Sequence, residues 1–207
     1  HFDHPLMVGL TMQLFSFNML LQSEFFLRLG AIVFGAINIW VVFLIGRKVK
    51  NERTGFFAAV LYVSSVYASV IAGVFILPDT PQILYWMLSL YLIIHTFSEA
   101  TTHPNTKRNL LLLGITLGLG MLSKYTTVFL WVGLGLFVLL FDRKWLKVAH
   151  LYFSFAITAV LSLPVLIWNI QNDFISFTFH SSRVEVAGYG INLTYFFREL
   201  FGELLYN

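Results

Sequence analysis

Two short runs in this chain place charge where an otherwise apolar sequence turns. Pro78-Asp79-Thr80-Pro81 wedges a carboxylate between two prolines, whose locked φ makes a stiff frame. Ser123-Lys124-Tyr125 sets an ammonium between a hydroxyl and a phenol. A carboxylate can take a proton or orient a hydroxyl, and lysine is a compact point charge suited to phosphate. Each run also has a plainer reading. Asp79 caps a helix well, with proline favoured in the first turn, and Lys124 can serve as a snorkelling anchor. Two more polar clusters lie toward the ends. One is Phe2-Asp3-His4-Pro5. The other is Trp168-Asn169-Ile170-Gln171-Asn172-Asp173, followed by Phe177, His180 and Arg183, which by itself reads as a solvated loop. There is no Cys and no metal-spacing motif. The chemistry therefore needs no cofactor, although a divalent cation could enter with Asp79 as a ligand.

The elements that must hold these groups are membrane helices. Hydrophobic residues make up 58% of the 207, charged residues only 11%, and Phe alone counts 22. A soluble domain of this size cannot hide that much apolar surface. A soluble enzyme, a disordered chain and a nucleic-acid-binding module are all excluded on this ground. Six charge-free stretches approach bilayer length: 29–46, 56–77, 80–98, 109–123, 125–141 and 151–168. About 20 helical residues cross a core of about 30 Å. The predicted fold is an all-α, polytopic transmembrane bundle forming one domain over 1–207, with interfacial segments at 1–28 and 169–207. Within the first segment, Pro5–Gln22 either crosses as a seventh span or lies along the interface. Thr194–Tyr206 reads as an interfacial amphipathic helix. Pro164 is expected to kink or end the last span.

Basic residues orient the spans. Nine of the 13 Lys and Arg fall in three alternating loops: Arg47, Lys48, Lys50 and Arg53; Lys107 and Arg108; Arg143, Lys144 and Lys147. Those loops are assigned to the cytoplasm, which puts Asp79 and Lys124 on the opposite, outer side. The spans themselves are nearly free of ionisable groups, and His95 near an inner end reads as structural. An ion-coupled path would need charges within the spans. Polar groups gathered at the outer ends suit a substrate with one lipid part and one polar part. Gly114 and Gly118 form a small-xxx-small pair that reads as a packing face; the strand and Lys-Ser/Thr ending of a phosphate loop are absent. Asn192-Leu193-Thr194 fits a glycosylation sequon too short to weigh.

Five motifs in order carry a resemblance. They are Phe2-Asp3-His4-Pro5-Leu6, Ser23-Glu24 with Arg28-Leu29, Pro78-Asp79-Thr80-Pro81, Gly118-Leu119-Gly120-Met121-Leu122-Ser123-Lys124-Tyr125, and Trp168-Asn169-Ile170-Gln171-Asn172-Asp173. Together they resemble the bacterial members of the dolichyl-phosphate-mannose-protein mannosyltransferase-like family, a group that includes the aminoarabinose transferases of lipid A. Leu6 departs from the second proline usual there. The resemblance implies a C-type glycosyltransferase fold and a sugar donor on a polyprenyl phosphate. It implies inverting transfer to a lipid, glycan or protein acceptor on the outer face of the bacterial inner membrane, with membrane lipids as surroundings and no nucleic acid as partner. A start at His1 rather than Met and a stop at Asn207 just after an amphipathic stretch make both ends read as cuts; the resemblance assigns the catalytic base to an acidic pair in an outer loop upstream of His1, so the chain alone is expected to be inactive. Asp79 then assists, and Lys124, His4, Asp3, Tyr125, Arg183 and His180 bind substrate, with Lys124 meeting the donor phosphate, aided by Arg183 or Arg28. The alternatives are a polytopic transporter or lipid flippase, or a non-catalytic membrane subunit.

Overall fold

In the computed structural model, residues 6–176 are described, together with 178, 197, 198, 201 and 202. Among these the only regular structure is helical, and each of the six expected stretches holds a helix. The elements are α1 (Leu6–Phe15), α2 (Glu24–Val49), α3 (Glu52–Ser64), α4 (Tyr67–Val74, π-helical through Ile71), α5 (Asp79–Phe97), α6 (Thr106–Ser123), α7 (Val128–Leu140) and α8 (Ala149–Gln171). Short 3-10 turns over Tyr125–Thr127 and Arg143–Lys147 bracket α7.

By length and composition, α2 and α8 can each cross a membrane, and α3 with α4 would make a third crossing if the bent pair is one span. The central helices are more polar for a structural reason. α6 packs between α5 and α8, so its polar side chains meet protein rather than lipid. Ser89 of α5 and Thr116 of α6 hydrogen-bond at 2.8 Å, and Thr158 of α8 donates to the Gly114 carbonyl at 2.9 Å. The apolar core lies toward the basic-loop end of α6, where Leu110, Leu113 and Leu117 are sealed by Leu134, Val138, Trp145 and Leu151. Outward faces stay apolar, as at Phe129, Leu140, Phe155 and Val160, which fits a lipid-facing surface.

The Gly114–Gly118 face is a contact surface. A Cβ on Gly114 would sit 2.5 Å from the Ser154 carbonyl oxygen, and one on Gly118 would sit 2.6 Å from the Leu161 side chain. A second close approach joins α2 to α3, where a Cβ on Gly46 would sit 2.7 Å from the Gly55 Cα. At the same end Lys48 pairs with Glu99 at 2.8 Å; that hydrogen bond and the lysine's charge hold the exposed Glu99 carboxyl below its ordinary range.

The structure corrects the sequence reading at several points. The expected span 56–77 is broken: α3 and α4 meet at 73°. Ser65 has extended dihedrals (φ −69, ψ 123). Its side chain accepts from the Ala68 amide and its carbonyl from the Ser69 amide. It therefore acts as an N-cap that restarts the helix in a new direction. Of the two readings of Pro5–Gln22, a full crossing is not what folds. α1 has ten residues, about 15 Å, and the chain leaves it through left-handed Phe17, Asn18 and Met19. Pro164 does not end α8, which runs on to Gln171. Asn169 is thus fully buried on a helix rather than part of a solvated loop. The reading of 194–206 falls outside the described residues apart from Phe197, Arg198, Phe201 and Gly202, which are helical.

Candidate functional site

The two charged turns meet at the end of the bundle away from the basic loops. Asp79 is the first residue of α5, with Pro78 at the N-cap position, and its carboxylate accepts a hydrogen bond from its own backbone amide. A carboxylate in the first turn of a helix is favoured by the helix dipole, and its side chain is left to reach across. Lys124 follows α6 in extended conformation (φ −160, ψ 132), which turns its side chain out of the helical path. Its Nζ donates to Asp79 Oδ1 at 2.7 Å. The Tyr67 hydroxyl donates to the same oxygen at 2.6 Å. One turn further along α5, Gln82 donates through Nε2 to Thr126 Oγ1. Asp79 and Gln82 share one face of α5 by their i, i+3 spacing. The pair clamps that face onto the Lys124–Thr126 turn.

The Asp79 side chain is 17% exposed and that of Lys124 36%. Burial pushes the Asp79 carboxyl up, but the hydrogen bonds from Lys124 and Tyr67 and the ammonium charge outweigh it and hold the group below the ordinary carboxylate range. With the folded value depressed, the stabilisation from this group is present above the ordinary carboxylate pKa and is lost as pH falls through the folded value. The melting temperatures of the wild type and Asp79→Asn should therefore differ at neutral pH, begin to approach each other near about pH 4, and coincide only below the depressed folded value. Tyr67→Phe removes one of the donors that hold the carboxyl low, so the Asp79 carboxyl should titrate at higher pH in infrared difference spectra. An unmoved titration would show that the Tyr67 hydroxyl does not act on the carboxylate.

These groups rim a cavity of about 480 Å³, whose lining includes Tyr62, Ser65, Tyr67, Trp86, Met87 and Thr126 beside Asp79 and Lys124. The arrangement combines one ammonium, one ionised carboxylate, hydroxyl and amide groups, and an aromatic wall. It can hold an anion beside a polar body while an apolar portion lies against the helices. Among the described residues no cluster of three or more His, Cys, Asp or Glu could hold a metal ion.

The match to known proteins falls on this region. Residues 3–168 fit the family model of dolichyl-phosphate-mannose-protein mannosyltransferase. The chain belongs to that family. No curated protein and no solved structure matches it. For this mannosyltransferase-family chain, membership indicates a membrane protein of glycosyltransferase type, and the matched stretch contains every residue of the cavity rim.

Of the residues singled out from the sequence, Asp79 and Lys124 are brought into contact. Tyr125 sits in the adjoining 3-10 turn but does not line the cavity. Arg28 is engaged elsewhere: it pairs with Glu24 at 2.7 Å, reaches the Val74 carbonyl and lies over the Phe75 ring. Asp3, His4, His180 and Arg183 lie outside the described residues. The sequence reading missed Tyr67, Gln82, Thr126 and Trp86. Gln82 had a signal, being three residues after Asp79 in an apolar helix. Tyr67 had none of its own, because only the break at Ser65 aims it at Asp79.

Proposed function

We propose that the chain carries the donor site of an integral membrane glycosyltransferase. In this reading a sugar passes from a polyprenyl-phosphate donor to a lipid, glycan or protein acceptor on the outer face of the bacterial inner membrane. The observation that carries the proposal is the 2.7 Å Lys124–Asp79 pair on the rim of an aromatic-walled cavity. Family membership supports the reaction type, and the basic loops at the other end of the bundle support the orientation.

The chemistry follows from the groups. A phosphate leaving group gains negative charge as the glycosidic bond breaks, so an ammonium aimed at it stabilises the transition state more than the ground state. Lys124 supplies that charge by sharing its protons between Asp79 and the phosphate. Asp79, with its depressed pKa, is a weak base. It suits an assisting role, holding Lys124 in place and orienting a hydroxyl of the sugar or acceptor, while the acceptor hydroxyl gives its proton to the acidic pair that the family resemblance assigns upstream of His1. Asp3, His4, Tyr125, His180 and Arg183 remain substrate contacts in this scheme, with Arg183 as a second charge for the phosphate. The scheme needs no cofactor; a divalent cation would join through Asp79.

The test is transfer by the intact protein in proteoliposomes supplied with a labelled polyprenyl-phosphate sugar. Label should move to an acceptor, and chelation with EDTA reports on the cation. Solute accumulation or donor flipping without cleavage of the sugar–phosphate bond would overturn the reading in favour of a transporter or flippase.

A further inference from the structure

Gln82 is a buried amide used at one end only. It is 7% exposed, yet it lines the cavity beside Asp79 and Lys124. Its Nε2 donates to Thr126 Oγ1. Among the described residues nothing donates to its carbonyl oxygen. Two other buried amides, Asn38 and Asn169, also have an oxygen without a partner, but theirs are sealed within the protein. The Gln82 oxygen is not sealed, and it belongs to a side chain on the cavity wall. Packing alone does not call for an amide there. Ile83 and Met87 continue the same wall with apolar side chains, and a buried polar group left without a partner is unfavourable. The bond to Thr126 ties down the other end of the amide, so the free oxygen has a set place.

What that oxygen can bind follows from its chemistry. A carbonyl oxygen accepts a hydrogen bond and has none to give. The phosphodiester of the proposed donor carries no proton to offer, so it falls to Lys124 and not to Gln82. A sugar, by contrast, is bordered with hydroxyl donors. Gln82 stands one turn from Asp79 on the same face of α5, about 4.5 Å along the helix axis, which is within the span of one hexose ring and its hydroxyls. We infer that Gln82 accepts a hydrogen bond from one hydroxyl of the donor's sugar and thereby selects the sugar. The inference rests on the proposed donor and adds the residue that discriminates among its sugars. Gln82 touches no bond that forms or breaks. It decides which ring is held beside Lys124.

The experiment uses the intact protein in proteoliposomes with polyprenyl-phosphate mannose, glucose and galactose as donors. The hexose transferred fastest is then supplied as each of its monodeoxy analogues, and kcat/KM is compared with that of the parent. The wild type should lose about tenfold with one analogue, because its absent hydroxyl leaves a buried acceptor unpaired. Gln82→Met fills a similar volume without the amide. It should use that analogue and the parent alike, to within about twofold, and keep the wild-type ratios for the others. Thr126→Val breaks the tie and keeps the amide, so it should retain the discrimination. Each ratio is taken within one preparation and holds for a variant that folds in low yield. A wild type that takes every analogue as well as the parent would overturn the assignment. So would Gln82→Met and Thr126→Val behaving alike, which would make Gln82 a structural tie. In both cases transfer persists and the transferase reading stands. Absence of sugar–phosphate cleavage with all the parent donors sinks that reading and the assignment with it.

Discussion

Lys124→Ala in the intact protein should lower sugar transfer by about 100- to 1000-fold, the usual cost of removing a group that meets developing charge. The residue does two jobs that the assay must separate. In the proposed reaction it neutralises the leaving phosphate, and at rest it neutralises Asp79, whose carboxylate is mostly buried. Removing the ammonium leaves that carboxylate without its charged partner, and a lone buried charge destabilises a fold. Part of any loss could therefore be loss of protein. The double variant Asp79→Asn with Lys124→Ala resolves this, since it removes both charges together. It should recover the melting temperature of the wild type to within a few degrees and still fail to turn over. Asp79→Asn alone should leave Lys124 free to grip the donor, so KM falls or holds while kcat drops. Effects of the two substitutions should be far from additive because the groups touch. A well-expressed Lys124→Ala protein with normal turnover would mean that the pair is a structural tie, as in a non-catalytic subunit.

The second large effect is predicted far from the charges. Gly114→Leu should prevent assembly of the α6–α8 pair and leave little monodisperse protein after detergent extraction. The atoms in the way are the backbone of Ser154: its carbonyl oxygen would lie 2.5 Å, and its Cα 2.9 Å, from the new Cβ. Backbone cannot swing aside as a side chain can, so the helices must separate. Separation breaks the Thr158–Gly114 hydrogen bond and with it the Trp131–Thr158 contact to α7. Overpacking of this sort costs about 1–3 kcal/mol and occasionally more, a large part of a typical stability. Gly133→Ala is the control. Nothing lies within 4 Å of a Cβ there, and trading glycine for alanine inside a helix gains about 0.5–1 kcal/mol. Size-exclusion profiles and thermal melts of the two variants should move in opposite directions.

Much of this architecture was legible in residue types alone. The scarcity of charge located the membrane helices, and the three basic clusters separated the two ends of the bundle. The spacing of Gly114 and Gly118 announced a close helix contact, because only missing side chains allow one. Asp79 and Lys124 were legible because a charge at an apolar turn is costly unless it has a use. Their contact was not legible, since 45 residues separate them and no periodicity links a turn before α5 to a turn after α6. The bend was the hardest feature. Ser64-Ser65 lies in an apolar run that a hydropathy reading carries straight through. Only the local competition between a serine side chain and the helical ladder breaks it. The contact of Tyr67 with Asp79 depends on that bend and was hidden with it.

The short α3 has a consequence for the surrounding bilayer. Its 13 residues rise about 20 Å, some two-thirds of a hydrocarbon core of about 30 Å. Backbone groups at an interrupted helix are not tolerated in bare hydrocarbon; they must meet protein or water. A helix this short is matched by drawing the lipid headgroups inward along its flank. If α3 faces lipid alone, the water boundary around Ser65 would be drawn toward the middle of the membrane. In the proposed reaction Asp79 and Lys124 would then stand where an acceptor from the aqueous side and a lipid-borne donor come to the same depth.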